Sequence, residues 1–166
     1  MSKILNSAAV AATLCAASIA SHSTEVVVGG GGGGSGPDCS GAAASSGVIW
    51  PPDHKMVSIG IVGVTDPLGL PLTIVVTGIL QDESVAAIGS GNTAPDGSGV
   101  GTSTAMVRAE RAGPGTGRIY FISFSATNTS GEQCTNTVPA MVPHDQGQGF
   151  TPIDTGYRYD STQTYF

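Results

Sequence analysis

The chain has 166 residues, with 25 Gly, 10 Pro, only 11% charged side chains, and 12 acidic against 6 basic residues for a formal charge of −6. An acidic, lysine-poor chain lacks the phosphate-neutralising surface that nucleic acid requires and the polybasic anchor that anionic lipid requires. Abundant Gly, Ser and Thr between short alternating runs of Val and Ile is the profile of a single all-β domain with many turns.

Residues 1–20 read as an export signal: Lys3 supplies a basic start, 8–20 is apolar with small residues, and Ser18-Ile19-Ala20 suits a signal peptidase. Asn6, Ser7 and Thr13 interrupt the segment too often for a membrane span, and Leu14 before Cys15 does not suit lipidation, which takes a small residue there. Cleavage removes Lys3 and Cys15, leaving a charge of 5 − 12 = −7 and one cysteine pair, Cys39 and Cys134. An even pair in an exported chain predicts a disulfide, and closing a loop of this length stabilises by roughly 4–5 kcal/mol in the chain-entropy model. Residues 21–38 contain the unbroken glycine run 29–34 and read as a flexible tether. No Lys-Ser/Thr and no amphipathic helix follows the glycines, which argues against a phosphate loop.

Strands are predicted at 42–49, at 56–65 with Val57, Ile59 and Ile61 on one face, at 72–80, at 84–88, at 102–109, at 118–128 and at 133–142. The clearest is 118–128, with Tyr120, Ile122, Phe124 and Ala126 on one face and Ile119, Phe121 and Ser123 on the other. Pro139 marks the last strand as an edge or bulged one. About seven strands at this spacing predict a two-sheet sandwich of immunoglobulin or fibronectin type III kind over 39–146. Residues 147–166, with Tyr157, Tyr159, Tyr165 and Phe166, read as a flexible or edge-pairing tail, since the chain has no series of lipid-facing strands that would make them part of an outer-membrane barrel.

Strands running alternately down and up place 50–55, 81–83, 110–117 and 143–146 at one pole. The loops 66–71, 89–101 and 129–132, with both cysteines, fall at the other. Nearly every charged or histidine side chain of the domain thus gathers at the first pole, and the first and last strands become parallel neighbours.

Those same turns carry a resemblance. Trp-Pro-Pro-Asp-His-Lys (50–55), Gln-Asp-Glu (81–83), Arg-Ala-Glu-Arg-Ala-Gly-Pro-Gly-Thr-Gly-Arg-Ile-Tyr (108–120) and Val-Pro-His-Asp-Gln-Gly (142–147) resemble, in order, a secreted bacterial immunoglobulin-like module found near hyalin-repeat and cadherin-like domains of large extracellular proteins. The resemblance covers about 48–147 and implies a β-sandwich in an extracellular or cell-surface setting, with no established catalytic activity. The family's long loop resembles a calcium turn. Here Ser90 and Asn92 stand at two of its aspartates and Asn128 at another, leaving Asp96 and too few oxygen ligands for a hard cation. The further cysteine pairing usual in the family's tail is also missing.

At the charged pole the candidate binding residues are Trp50, Asp53, His54, Lys55, Glu83, Glu110, Arg111, His144 and Asp145. Their functional reading is a metal centre, with His54 and His144 as ligands and Glu83 or Glu110 as base. Their structural reading, which we favour, is an ionic network in which Glu83 and Glu110 pair with Lys55, Arg111 and Arg118. Trp50 beside Pro51-Pro52 reads as closing the core in preference to a stacking platform for sugar or peptide. The glycines at 113, 115 and 117 fit a hairpin turn without an anion. No Gly-x-Ser-x-Gly, His-Glu-x-x-His or Cys–His pairing is present, so the chain reads as non-enzymatic and without a cofactor, a metal ion being the one alternative. The expected partner is an extracellular protein or glycan. Self-assembly through the last strand or the tail is a further alternative.

Overall fold

A computed structural model describes residues 36–91, 93–147 and 151–164, all within one folded unit, Gly33–Phe166. The export signal, the glycine run, Asn92, Phe150, Tyr165 and Phe166 lie outside the described residues.

The strands are β1 (Ala43–Ala44), β2 (Met56–Val62), β3 (Leu72–Gln81), β4 (Gly97–Ser98), β5 (Thr104–Arg108), β6 (Gly117–Asn128), β7 (Gln133–Pro143) and β8 (Tyr159–Asp160). Two antiparallel sheets form, ordered β1-β2-β5-β4 and β7-β6-β3-β8. This is the immunoglobulin arrangement, with β8, drawn from the C-terminal tail, added beside β3. The parity of β6 is as the alternation predicts: Tyr120, Ile122, Phe124 and Ala126 are buried, and they meet Ile59, Ile61, Ala105 and Val107 from the facing sheet. The first predicted strand divides. Ala43–Ala44 pairs with β2, while 47–49 crosses to β7 through the parallel bridge between Val48 and Met141, which makes the first and last strands parallel neighbours.

Cys39 and Cys134 form the predicted disulfide across 95 residues, at the pole away from the charged turns. Asn136 Nδ2 donates to the Cys39 carbonyl at 2.8 Å, so the segment before β1 is tied to β7 beside the bridge.

The strand predicted at 84–88 does not form. Val85 is buried but Ile88 is 86% exposed, and Ala87 N and Ser90 N close successive turns on Ser84 O and Ala87 O. The fourth strand is instead the two residues of β4, paired with Met106 and Val107 of β5. The correction has a consequence for the poles. Residues 84–96 cross the charged pole, so Gly91, Thr93 and Asp96 belong to it and not to the disulfide end.

A bulge in β3 between Val76 and Gly78 also matters for the site. It adds a residue and reverses inward parity, so Val76 is buried before it and Ile79 and Gln81 after it. The tail is bound to this edge. Ser161 N donates to Ile79 O, and Ser161 O accepts from Asp96 N at 2.9 Å and Gly97 N at 2.7 Å, joining β3 of one sheet to β4 of the other. A Cβ on Gly97 would lie 2.8 Å from Ser161 Cβ, so only glycine admits the tail there. Arg158 lies over the Phe121 ring at 3.8 Å and forks onto Asp154 with two 2.8 Å bonds. Among the described residues no helix is long and apolar enough to cross a membrane.

Candidate functional site: the charged pole

β2 starts, β3 ends, β5 ends, β6 starts and β7 ends at one pole, which fixes the turns 50–55, 81–83, 109–116 and 143–147 together. Their polar side chains form an inner layer that is buried and an outer layer that is not.

Arg118 is the centre of the inner layer. It shares the inward parity of Tyr120 and is completely buried. Its Nη1 donates to Asp96 Oδ2 at 2.7 Å and to the Tyr120 hydroxyl at 3.1 Å, its Nε donates to Glu83 Oε2 at 3.2 Å, and its Nη2 lies 3.7 Å from Glu110 Oε1. Gln81 Nε2 donates to Asp96 Oδ2 and to Glu83 O, both at 3.0 Å. Arg108 Nε lies 3.3 Å from Asp96 Oδ1, and the Tyr120 hydroxyl donates to Arg108 O at 2.9 Å. Burial pushes the Asp96 carboxyl and the Tyr120 phenol above their usual ranges. Asp82 is also pushed up by burial, while its oxygens accept from Ile119 N at 2.8 Å and Thr155 N at 3.4 Å. Removing several charges from water costs several kcal/mol per ion before pairing returns it. The fold meets part of that cost with donors to Asp96, Glu83 and Glu110, while Asp96 Oδ1, Glu110 Oε1, Arg108 Nε and Arg118 Nη2 are held by charge alone, without hydrogen bonds, and the network spans both sheets.

The outer layer separates the residues that sequence reading grouped. Asp53 does not face His54's partner. Its carboxylate accepts from Lys55 Nζ at 2.6 Å, which lowers its pKa, so Lys55 pairs with Asp53 and not with Glu83 or Glu110. His54 turns inward: Nδ1 lies 3.0 Å from Glu110 Oε2, a fully buried carboxylate that also accepts from Thr93 Oγ1. Because a carboxylate oxygen only accepts, Nδ1 carries the hydrogen and Nε2 points away from Glu110. His54 has φ +65°, left-handed for a non-glycine residue. His54 N→Ala109 O at 2.9 Å and Arg108 Nη1→His54 O at 3.0 Å hold it there.

His144 is built differently. Its Nδ1 lies 3.3 Å from Asp145 Oδ2 and its Nε2 3.2 Å from Gly113 O, while Gly147 N and then His144 hold the Asp145 carboxyl below the usual range. The two histidines therefore have separate partners. Among the described residues no three His, Cys, Asp or Glu side chains gather as a metal-binding group. Arg111 pairs with neither glutamate: Nε donates to His144 O at 3.1 Å and Nη1 to Ala112 O at 3.2 Å. Glu83 uses its second role on the backbone, accepting from Ala112 N at 2.7 Å.

Trp50 does not close the core. It is 41% exposed, and its buried neighbour Ile49 fills the core position, since adjacent strand residues face opposite ways. Trp50 lines a groove of about 420 Å³ with Val48, Pro143, Asp145, Gln146 and Thr151. A smaller, mostly polar pocket of about 220 Å³ lies between Pro52, His54, Gly89 and Arg111.

No known protein family, curated protein or solved structure matches the chain. The functional reading therefore rests on the pole itself.

Asp96, Arg108, Gln81 and Thr93 belong to the pole but are not among the candidate binding residues: Gln81 and Arg108 enter only as parts of the 81–83 and 108–120 motifs, and Asp96 and Thr93 fall in the loop expected at the other pole. Arg118 could have been placed inside by its parity with Tyr120. Asp96 and Thr93 carry no such signal, because a loop of irregular path delivers them.

Proposed function

We propose that the chain is a secreted, non-enzymatic immunoglobulin-like module that binds an extracellular or cell-surface partner through its charged pole. The observation that carries this reading is Trp50. A lone tryptophan, 41% exposed beside Val48 at 58%, stands over a groove on a segment hydrogen-bonded to β7. Exposed aromatics on a rigid frame are the residues that dominate recognition surfaces, because they supply contact area at little entropic cost. The carboxylates that acid–base chemistry would draw on, Glu83, Asp96 and Glu110, are engaged by arginine, amide or hydroxyl donors, which favours binding over catalysis. The disulfide suits an exported chain.

Trp50 is the only tryptophan, so its emission reports directly on the groove. Titrating the secreted chain with solubilised cell-surface polysaccharides and surface proteins should shift that emission for the true partner. Trp50→Ala should weaken binding of the same partner, measured by calorimetry, by at least roughly tenfold while leaving the melting temperature within a few degrees. Full-strength binding by a well-folded Trp50→Ala variant would move the partner surface elsewhere.

A further inference from the structure

We propose that the pocket between His54 and Arg111 is an oxyanion site, and that it receives the acidic group of a glycan whose neighbouring ring rests on Trp50. This deepens the binding reading above and depends on it.

Arg111 provides the first argument. The other arginines of the described residues each pair with a carboxylate: Arg108 with Asp96, Arg118 with Asp96 and Glu83, Arg158 with Asp154. Arg111 is anchored instead by two carbonyl oxygens; the exposed Asp145 carboxylate lies near enough to feel its charge without pairing with it, and Nη2 makes no hydrogen bond among the described residues. A half-buried guanidinium held by carbonyls, with one face turned to a pocket, is arranged to accept an oxygen anion.

His54 provides the second. Glu110 fixes Nδ1 as the donor, which orients the ring, and Nε2 makes no hydrogen bond among the described residues. The ring is wedged against Gly91, where a Cβ would lie 3.1 Å from Cε1, so its position is set by packing. His54 also holds a left-handed backbone, and such conformations cluster where a side chain must be aimed. A metal ion would use the same Nε2, but Arg111 lines the same pocket and would repel it, whereas an acidic sugar meets both groups: its anion pairs with Arg111 and a ring hydroxyl donates to the Nε2 lone pair. Behind them, Arg108 and Arg118 offset the charge of Glu110 at 3.9 and 3.7 Å.

The third argument is position. Trp50 and Pro52 flank Pro51, and the carbonyl that anchors Arg111 belongs to His144, between two residues of the Trp50 groove, Pro143 and Asp145. Pocket and groove therefore adjoin. A ligand that fills both needs a flat apolar face beside an acidic group, which is the chemistry of a uronate or a sulfated sugar.

The test is calorimetry and Trp50 fluorescence on the secreted chain with an oligouronate, a sulfated oligosaccharide, a neutral oligosaccharide of equal length, inorganic sulfate and an acidic peptide. An acidic oligosaccharide should bind, more weakly as salt rises, and the neutral one should not. Which acidic oligosaccharide binds distinguishes carboxylate from sulfate. Arg111→Gln and His54→Asn, the second chosen because Asn tolerates the left-handed backbone, should each weaken it roughly tenfold or more, with Arg111→Lys partly restoring it. The inference is overturned by equal affinity in these variants, by binding of the neutral sugar or acidic peptide alone, by binding of inorganic sulfate alone, or by no binding at all. A zinc ion bound stoichiometrically in native mass spectrometry and lost in His54→Asn would also overturn it. Neutral-sugar binding that Trp50→Ala abolishes would reject the anion site and keep the binding module. Trp50-independent binding would reject both.

Discussion

Replacing Arg118 by methionine keeps most of the aliphatic volume and removes the charge that three carboxylates share. Asp96 and Glu110 are fully buried and the Glu83 side chain is 9% exposed, so none can recover its hydration without opening the pole. Breaking one buried pair by deleting a partner typically costs about 3–5 kcal/mol, a large share of the roughly 5–15 kcal/mol that a small domain has. At roughly 3–5 °C per kcal/mol for a domain of this size, the melting temperature should fall by about 10–25 °C. The assay is urea and thermal unfolding followed by circular dichroism, with the disulfide intact.

The pH dependence identifies the cause. In the wild-type chain burial already raises the Asp96 pKa. Without Arg118 it rises further, so the folded state takes up a proton that the unfolded chain, with an ordinary aspartate pKa of 3.8, does not hold. A raised folded pKa means that stability grows as pH falls through it, so the deficit of Arg118→Met should shrink on acidification from neutral pH. Arg118→Met combined with Asp96→Asn should cost less than the sum of the single changes, by about 1–3 kcal/mol. Additive costs, or a deficit that does not change with pH, would show that Arg118 acts by packing and would refute the ionic account.

Three other expectations are independent of that cluster. Cys134→Ser should cost roughly 4–5 kcal/mol by releasing a 95-residue loop, read as a lower urea midpoint, and reduction of the wild-type chain should reproduce it. Asn128→Asp should cost about 1–3 kcal/mol in the same assay, because Asn128 Nδ2 donates to Asp66 at 3.0 Å and Glu132 at 2.9 Å, and a third carboxylate there can donate to neither. The Asp154–Arg158 fork should open in acid: Arg158 holds the Asp154 pKa down at about 2, below the ordinary aspartate value of 3.8, so the tail's contribution is complete above 3.8 and disappears towards 2. The Arg158 Nε–H resonance reports that step, and a midpoint near 3.8 would show that the fork is not formed in solution.

The sandwich was legible because alternation in 56–65 and 118–128 is strong and local. The errors have a common physical origin. The 84–88 segment has strand-like residues, yet no sheet edge reaches it, whereas Gly97–Ser98 has no strand propensity and becomes one because Met106, Val107 and the tail leave it paired on the sheet. Pairing of two-residue strands is decided by what lies across from them. Trp50 beside Pro51-Pro52 reads as a core residue, yet its position one residue after the buried Ile49 turns it outward. Asp53-His54 and His144-Asp145 looked like matching dyads, but neighbours in sequence diverge in space: Asp53 is drawn to Lys55 and His54 to Glu110.

The two ends of the sandwich are closed by different chemistry, and the difference bears on function. At one end a covalent bond joins Cys39 to Cys134, Asn136 reinforces it, and Asn128 ties Asp66 to Glu132. At the other, Arg118 and Gln81 from one sheet meet Arg108, Asp96 and Glu110 from the other, with Ser161 of the tail bonded across the seam. A purely apolar closure would serve stability at least as well, since buried ion pairs roughly break even against hydrophobic residues. What the ionic closure adds is aim. It fixes Glu110, which orients His54, and through Glu83 it anchors the turn that carries Arg111, so the ring and the guanidinium are held in place at the pocket. The buried network is therefore the support of the surface pocket, and loosening it should weaken anion binding before it unfolds the chain. A conservative Gln81→Leu change, which removes an amide from Asp96 without deleting a charge, separates these effects: acidic-oligosaccharide affinity should fall more than stability, and a loss of stability with unchanged affinity would uncouple the two layers.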